Sequence, residues 1–170
     1  MTLTATRPTT VEWSAPFHAL DVGQTFVTRA RTVTEADVVG FASLTGDWHP
    51  QHSDAEWAAD SAFGERIAHG LLVVSLAGGL VPFDPRRVIA LRRLADVVFK
   101  RAVRLGDTIC VHGKLADLRP VDDDAGLATF SWTIANQDGQ TVCRARVEVL
   151  WRADAHAPAG SDDGFVAIPL

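Results

Sequence analysis

Cysteine is scarce in this chain: of its 170 residues, only Cys110 and Cys143 carry thiols. They are far apart and lie in candidate strands without CxxC spacing, so the usual signature of a redox or zinc motif is missing and two buried free thiols are expected. Basic charge is lacking as well. A formal net charge of -5 leaves no stripe for nucleic acid. The longest strongly apolar run, Leu71 to Val81, falls short of the roughly 20 residues that cross a bilayer. Met1 to Thr10 is polar and has no signal-peptide core, so a cytoplasmic protein is expected. There is no internal repeat. The length suits a single domain with a substantial core, which we expect over residues 19–152, after a loose segment 1–18 and before a tail 153–170 rich in Ala, Pro, Gly, Ser and Asp.

What is present begins with Gln24 to Val33, rich in Thr, Val and Phe, which reads as a strand. Thr34 stands where a helix N-cap belongs, with Asp37 three residues on and Val38, Phe41, Ala42 and Thr45 at helical spacing. A helix of about 35–44 would therefore end before Gly46. A second helix is expected from Ser53 to Ala62, with Asp54 and Glu56 near its N-terminal end. Residues 69–81 are apolar on almost every face, so this helix should be buried. Gly70, Gly78 and Gly79 each cost it about 1 kcal/mol relative to alanine, which suggests a close approach to its backbone.

After Pro82 and Pro85 the chain turns to strands. Val88 to Val103 holds one extended segment or two, and Leu105-Gly106-Asp107 marks a turn before Thr108 to Leu118. Phe130, Trp132 and Ile134 then alternate with Thr129, Ser131 and Thr133, and Asp138-Gly139 signals a hairpin. Cys143, Ala145, Val147, Val149 and Trp151 share one face of the return strand. The architecture this implies is α+β, an antiparallel β-sheet around a central, largely buried α-helix.

The chemistry concentrates in Gly46-Asp47-Trp48-His49-Pro50-Gln51-His52, where an acid and two imidazoles fall within seven residues. Pro50 disfavours helical geometry at His49 and points to a shaped loop. A second polar opening, Ile67-Ala68-His69-Gly70, leads into the apolar helix. Asp47, His49, His52, Asp54 and His69 are of types that zinc or iron accepts, but their spacing matches no metal motif and no metal is expected.

These two stretches, with Phe41 to Thr45 and Ser53-Asp54 around the first, Ser61 to Gly64 between them and, more weakly, Phe99 to Asp107, resemble the MaoC-like, or R-specific enoyl-CoA hydratase, family of the hot-dog fold. The resemblance covers residues 20 to 152. It implies a hot-dog fold, usually dimeric, acting on acyl thioesters of coenzyme A or of acyl carrier protein in fatty acid metabolism, with no cofactor beyond the thioester itself. By position it makes Asp47 and His52 the catalytic pair and the Gly70 backbone N–H the oxyanion donor. Two residues depart from the family pattern. His49 stands where Asn is usual, and Gly78 where many members have serine.

Such a pair suits reversible hydration of a trans-2-enoyl thioester to an (R)-3-hydroxyacyl thioester. One water must lose a proton as it attacks, which acid–base groups accelerate by about 10² to 10⁴. The growing enolate needs a fixed donor, typically worth about 10² to 10³ in rate. A hot-dog thioesterase and a non-catalytic acyl-thioester-binding subunit of a heteromeric hydratase are the alternatives. His49 and His69 are read as supporting groups of the loop. Trp48 and Trp57 would line the acyl pocket or sit in the core. Arg86, Arg87, Arg92 and Arg93 would meet coenzyme A phosphates or form a solvated surface.

Overall fold

The computed structural model describes residues 10–153. Six strands, β1 (Thr25–Val27), β2 (Arg31–Thr32), β3 (Val88–Phe99), β4 (Thr108–Pro120), β5 (Ala125–Ala135) and β6 (Thr141–Arg152), form an antiparallel sheet. Their order is β1-β4-β5-β6-β3, with β2 also on β4. Alternation along β5 and β6 sets the register. Phe130, Ile134, Val147, Val149 and Trp151 point to one fully buried face, joined by Ile109, Val111 and Leu115 of β4. The β5–β6 hairpin turns at Gly139, whose φ of 71° is the left-handed conformation that glycine adopts without penalty.

Among the described residues four α-helices carry the chain past this face: α1 (Glu35–Thr45), α2 (Pro50–Ser53), α3 (Ala55–Ala59) and α4 (Gly70–Leu80). α1 begins where Thr34 and Asp37 form a reciprocal capping box, with Thr34 Oγ1 accepting from Asp37 N–H and the Asp37 carboxylate from Thr34 N–H. A cap of this kind is worth about 1 kcal/mol. Gly46, at φ 78°, ends the helix and releases the chain into the Asp47 loop. Leu72, Val73, Ala77 and Leu80 of α4 enter the same core as the sheet residues. A sheet closed over one central helix is the hot-dog arrangement.

Several elements differ from their sequence reading. The strand expected over 24–33 breaks at Thr28, whose hydroxyl takes over the bond from Val111 N–H that a ladder carbonyl would have accepted. The helix expected over 53–62 is split, because Asp54 adopts extended geometry and caps α3 through its side chain on Trp57 N–H. Residues 10–18 are not loose. Trp13 packs among Phe26, Phe83, Phe130 and Trp151, Phe17 is buried, and the Trp151 indole donates to Ala15 O at 2.9 Å. Residues 1–9, and the expected tail beyond Ala153, lie outside the described residues.

α4 is buried on one side only. Leu71, 62% exposed, Ser75 and Gly79 follow one another at single-turn spacing along an open face. A close approach exists at Gly70, where a Cβ would lie 2.7 Å from the Phe99 ring, but Gly78 and Gly79 face open space. The reason is topological: the sheet of one chain covers only one side of the helix. Cys143 is buried, as expected, whereas Cys110 is half-exposed beside His112 at 3.5 Å. No helix among the described residues is long and apolar enough to cross a membrane.

Candidate active site

The loop after α1 and the segment before α4 converge on a cavity of about 490 Å³ lined by Asp47, Gln51, His52, His69, Gly70 and Phe99, among others. His52 sits in the single turn of α2, which Pro50 starts at its first helical position. His49 is the cap of that turn: its Nδ1 accepts from Gln51 N–H at 3.2 Å, the role an asparagine oxygen would fill. The Trp57 indole packs perpendicular to the His49 ring, with centroids 5.4 Å apart.

His52 is 4% exposed. Its Nδ1 lies 2.7 Å from Ile67 O, and since a carbonyl only accepts, Nδ1 carries the hydrogen and Nε2 presents a lone pair. That lone pair faces the side-chain nitrogen of Gln51 at 3.0 Å. Burial pushes the imidazole pKa below its ordinary 6.5; the bond to Ile67 and the charge of Asp47 oppose this, while His69 and His49 add to it. Burial of this kind favours the neutral imidazole.

His69 is 2% exposed and stacks on His52 with ring centroids 3.8 Å apart. Its Nε2–H donates to the Asp47 carbonyl at 2.9 Å and lies 4.0 Å from the Asp47 carboxylate. This fixes the loop from behind. The carboxylate itself is open, its side chain 52% exposed, with Oδ1 accepting weakly from His49 N–H at 3.3 Å. His69 is also the N-cap of α4 but makes no side-chain cap bond there. The first-turn N–H groups, Gly70's included, have no intrahelical acceptor, as in any α-helix, and receive none from the cap side chain; they stand at the positive end of the helix dipole.

Asp47, His52 and His69 offer donor atoms within 4.8 Å of one another, the three-group cluster among the described residues that could hold a metal. His52 Nδ1 and His69 Nε2 are engaged by backbone carbonyls, which leaves one ring nitrogen on each histidine outside those bonds. His69 Nδ1 is left buried without a partner.

Other sequence candidates fall elsewhere. Trp48 and Trp57 neither line the cavity nor enter the core; both are half-exposed, Trp48 in the loop before α2 and Trp57 on the five-residue α3. Arg86 pairs with Asp84, Arg92 with Glu148, Arg87 donates to Ser14 O, and Arg93 borders a separate polar groove with Asp96 and Asp117. The cations at the active cavity are Lys100 and Arg101, just past β3. Sequence reading assigned no role to Gln51, to the Ile67 carbonyl or to these cations. Gln51 lies inside the very motif, whereas a carbonyl leaves no mark in a sequence.

With this geometry in view, the comparisons define the class. The model of the MaoC-like domain family matches residues 18–133, and the chain belongs to that family. It is 44% identical over 97 residues to Protein MaoC of Klebsiella aerogenes, a match covering 56% of this chain but only 29% of that protein. It is 38% identical over 116 residues to the 3-hydroxybutyryl-CoA dehydratase of Methylorubrum extorquens, covering 66% of this chain and 71% of the relative. Among solved structures it is similar to the (R)-hydratase of Aeromonas caviae, with a TM-score of 0.65 and 29% identity over 77% of this chain and 96% of that one.

Proposed function

We propose that this protein catalyses the reversible addition of water to a trans-2-enoyl thioester, giving an (R)-3-hydroxyacyl thioester. The observation that carries the reading is the side-by-side placement, at one cavity, of an open carboxylate on Asp47, a buried neutral base on His52 and a helix start at Gly70. The names of two relatives, a 3-hydroxybutyryl-CoA dehydratase and an (R)-hydratase, support the reaction class and its stereochemistry.

In the hydration direction a water stands between Asp47 and His52. Its proton passes to the lone pair on His52 Nε2 while its oxygen bonds to the β-carbon. The electron pair of the double bond moves toward the α-carbon and the thioester oxygen, to which the Gly70 N–H donates a hydrogen bond as the negative charge develops. The α-carbon then takes a proton from the Asp47–His52 pair, and both groups return to their starting state. Dehydration is the same path reversed. Lys100 and Arg101, at the rim, suit the phosphates of a coenzyme A or carrier-protein pantetheine arm, and no other cofactor is needed.

The working form in this reading is a homodimer. β3 is a sheet edge of twelve residues, and Ile89, Leu91, Leu94, Val98 and Phe99 on it are exposed apolar side chains. A bare edge of that length and polarity invites strand pairing. A second copy running antiparallel along β3 would cover it, together with the open face of α4.

The test is a panel of short, long and branched enoyl thioesters on both carriers, following loss of the conjugated absorbance and the chirality of the product. Formation of the (R)-3-hydroxyacyl thioester supports the reading. Release of a free thiol would instead indicate a thioesterase, and no reaction with any member would indicate a binding subunit.

A further inference from the structure

Gln51 has an unusual position for a residue with no role in the chemistry above. Its backbone is pinned on both sides, N–H to His49 Nδ1 at 3.2 Å and C=O from Ile67 N–H at 3.1 Å, so only the side chain is free to move. That side chain lines the cavity and ends 3.0 Å from His52 Nε2, the atom that must gain and lose the proton. A carboxamide carries a donor on one side and an acceptor on the other. Its terminal torsion is broad and roughly two-fold, so a half-turn exchanges them at little cost.

We propose that Gln51 is a positioning residue for the base: its NH₂ group holds Nε2 of neutral His52, and its carbonyl, after a half-turn, holds Nε2–H of the imidazolium. The proposal rests on His52 being the base of the hydration reaction. When water enters between the amide and Asp47, the amide reaches the ring through that water. Once the hydroxyl has bonded to the β-carbon, its former proton on Nε2 has lost its partner. The Gln51 carbonyl is within reach to accept it, in a hydrogen bond about twice as strong as one between neutral groups. Without it, the cation would form in a wall that resists charge.

The groups facing His52 leave this task to Gln51. His69 stacks on the ring from the N-cap of α4 but spends Nε2 on Asp47 O. His49, from the N-cap of α2, spends Nδ1 on Gln51 N–H and stands 6.3 Å away, centroid to centroid. Ile67 O holds the opposite nitrogen, Nδ1. Asp47, from the loop after α1, supplies negative charge, and Lys100 and Arg101, from the segment after β3, line the same cavity.

Two substitutions in the full chain test it, read by NMR titration of the His52 imidazole and by the pH profile of kcat/KM. Gln51→Met keeps the length but neither donates nor accepts strongly. It should lower the His52 titration and reduce kcat about tenfold with KM within about twofold, the loss expected for one charge-assisted bond. Gln51→Glu offers only charged acceptors, so it should raise the titration and move the acid limb to higher pH. Opposite shifts support the proposal, because a residue that merely packs would move neither. An unshifted titration in both variants overturns it. If Gln51→Met fails to fold, an unshifted titration in Gln51→Glu alone does so. A parent protein that hydrates nothing would refute the reaction while the titrations still report on Gln51. An active parent, an inactive His52→Ala and unshifted Gln51 variants would refute Gln51 alone.

Discussion

Ile67 and His52 are joined by a hydrogen bond of 2.7 Å from the imidazole Nδ1 to the Ile67 carbonyl. The same residue's N–H donates to Gln51 O at 3.1 Å, so Ile67 grips the turn that carries His52 from two directions. Two residues on, the His69 ring holds the Asp47 carbonyl, and the next residue, Gly70, starts α4. One short segment thus fixes His52, the Asp47 loop and the start of α4 relative to one another. The proposed hydration would need its groups held in place in this way.

Burial of His52 has a consequence in acid. Its native pKa lies below 6.5, while the unfolded chain takes up the proton near 6.5. Between the two values the unfolded state binds more protons, so this residue's contribution to stability is intact above 6.5 and is lost as pH falls toward the native value. Urea midpoints across mildly acidic pH should decline accordingly, and less so in His52→Gln. The acid limb of kcat/KM should have its midpoint below 6.5 for the same reason.

His49 acts as a cap, so its replacements should follow capping rules rather than acid–base rules. His49→Asn preserves an acceptor for Gln51 N–H, and its stability by urea unfolding should stay within a few tenths of a kcal/mol of the parent. His49→Ala should cost about 1 kcal/mol. Titration of His52 should change little in His49→Asn.

Gly70 is glycine because the Phe99 ring lies where a Cβ would go, 2.7 Å away. Phe99 is half-exposed and can swing, so Gly70→Ala should leave the melting temperature nearly unchanged. The displaced ring would intrude on the thioester position, and kcat should fall by about 10- to 100-fold. Adding Phe99→Ala to that variant should recover part of the loss, measured as a double-mutant cycle.

Leu91, 62% exposed on β3, has no packing role within one chain. Leu91→Arg should therefore leave far-UV circular dichroism unchanged while shifting the mass by light scattering from a dimer toward the 18.3 kDa of a single chain. Dimer mass persisting in this variant, and in Leu94→Arg beside it, would count against pairing along β3.

Much of the fold was legible because it is local. Thr34 with Asp37, Gly46, the alternation through Phe130 to Ile134 and the apolar run of α4 each follow from propensity or periodicity within a few residues. Trp13 was not. It lies in a polar segment, and its partners Phe26, Phe83, Phe130 and Trp151 are distant in sequence. The break at Thr28 was hidden for the same reason, since its cause is Val111 on another strand.

The site divides similarly. Asp47, His52 and Gly70 stood out by residue type and order, and the fold brings them to one cavity. The hold on His52 comes from a backbone carbonyl, which every residue has, so no side chain announces it. Gly78 and Gly79 suggested a close neighbour that the single chain does not supply. Trp48 and Trp57 were drawn toward the pocket by their apolar area, but the loop before α2 and the short α3 leave them at the surface.

The most direct test of the account is the hydration rate of an enoyl thioester that the parent protein accepts, measured in Asp47→Asn and His52→Ala purified as folded protein. Each is expected to lose at least about 10²-fold in kcat, with unfolding midpoints showing that the fold survives. A well-folded variant of either kind turning over at the parent rate would contradict it.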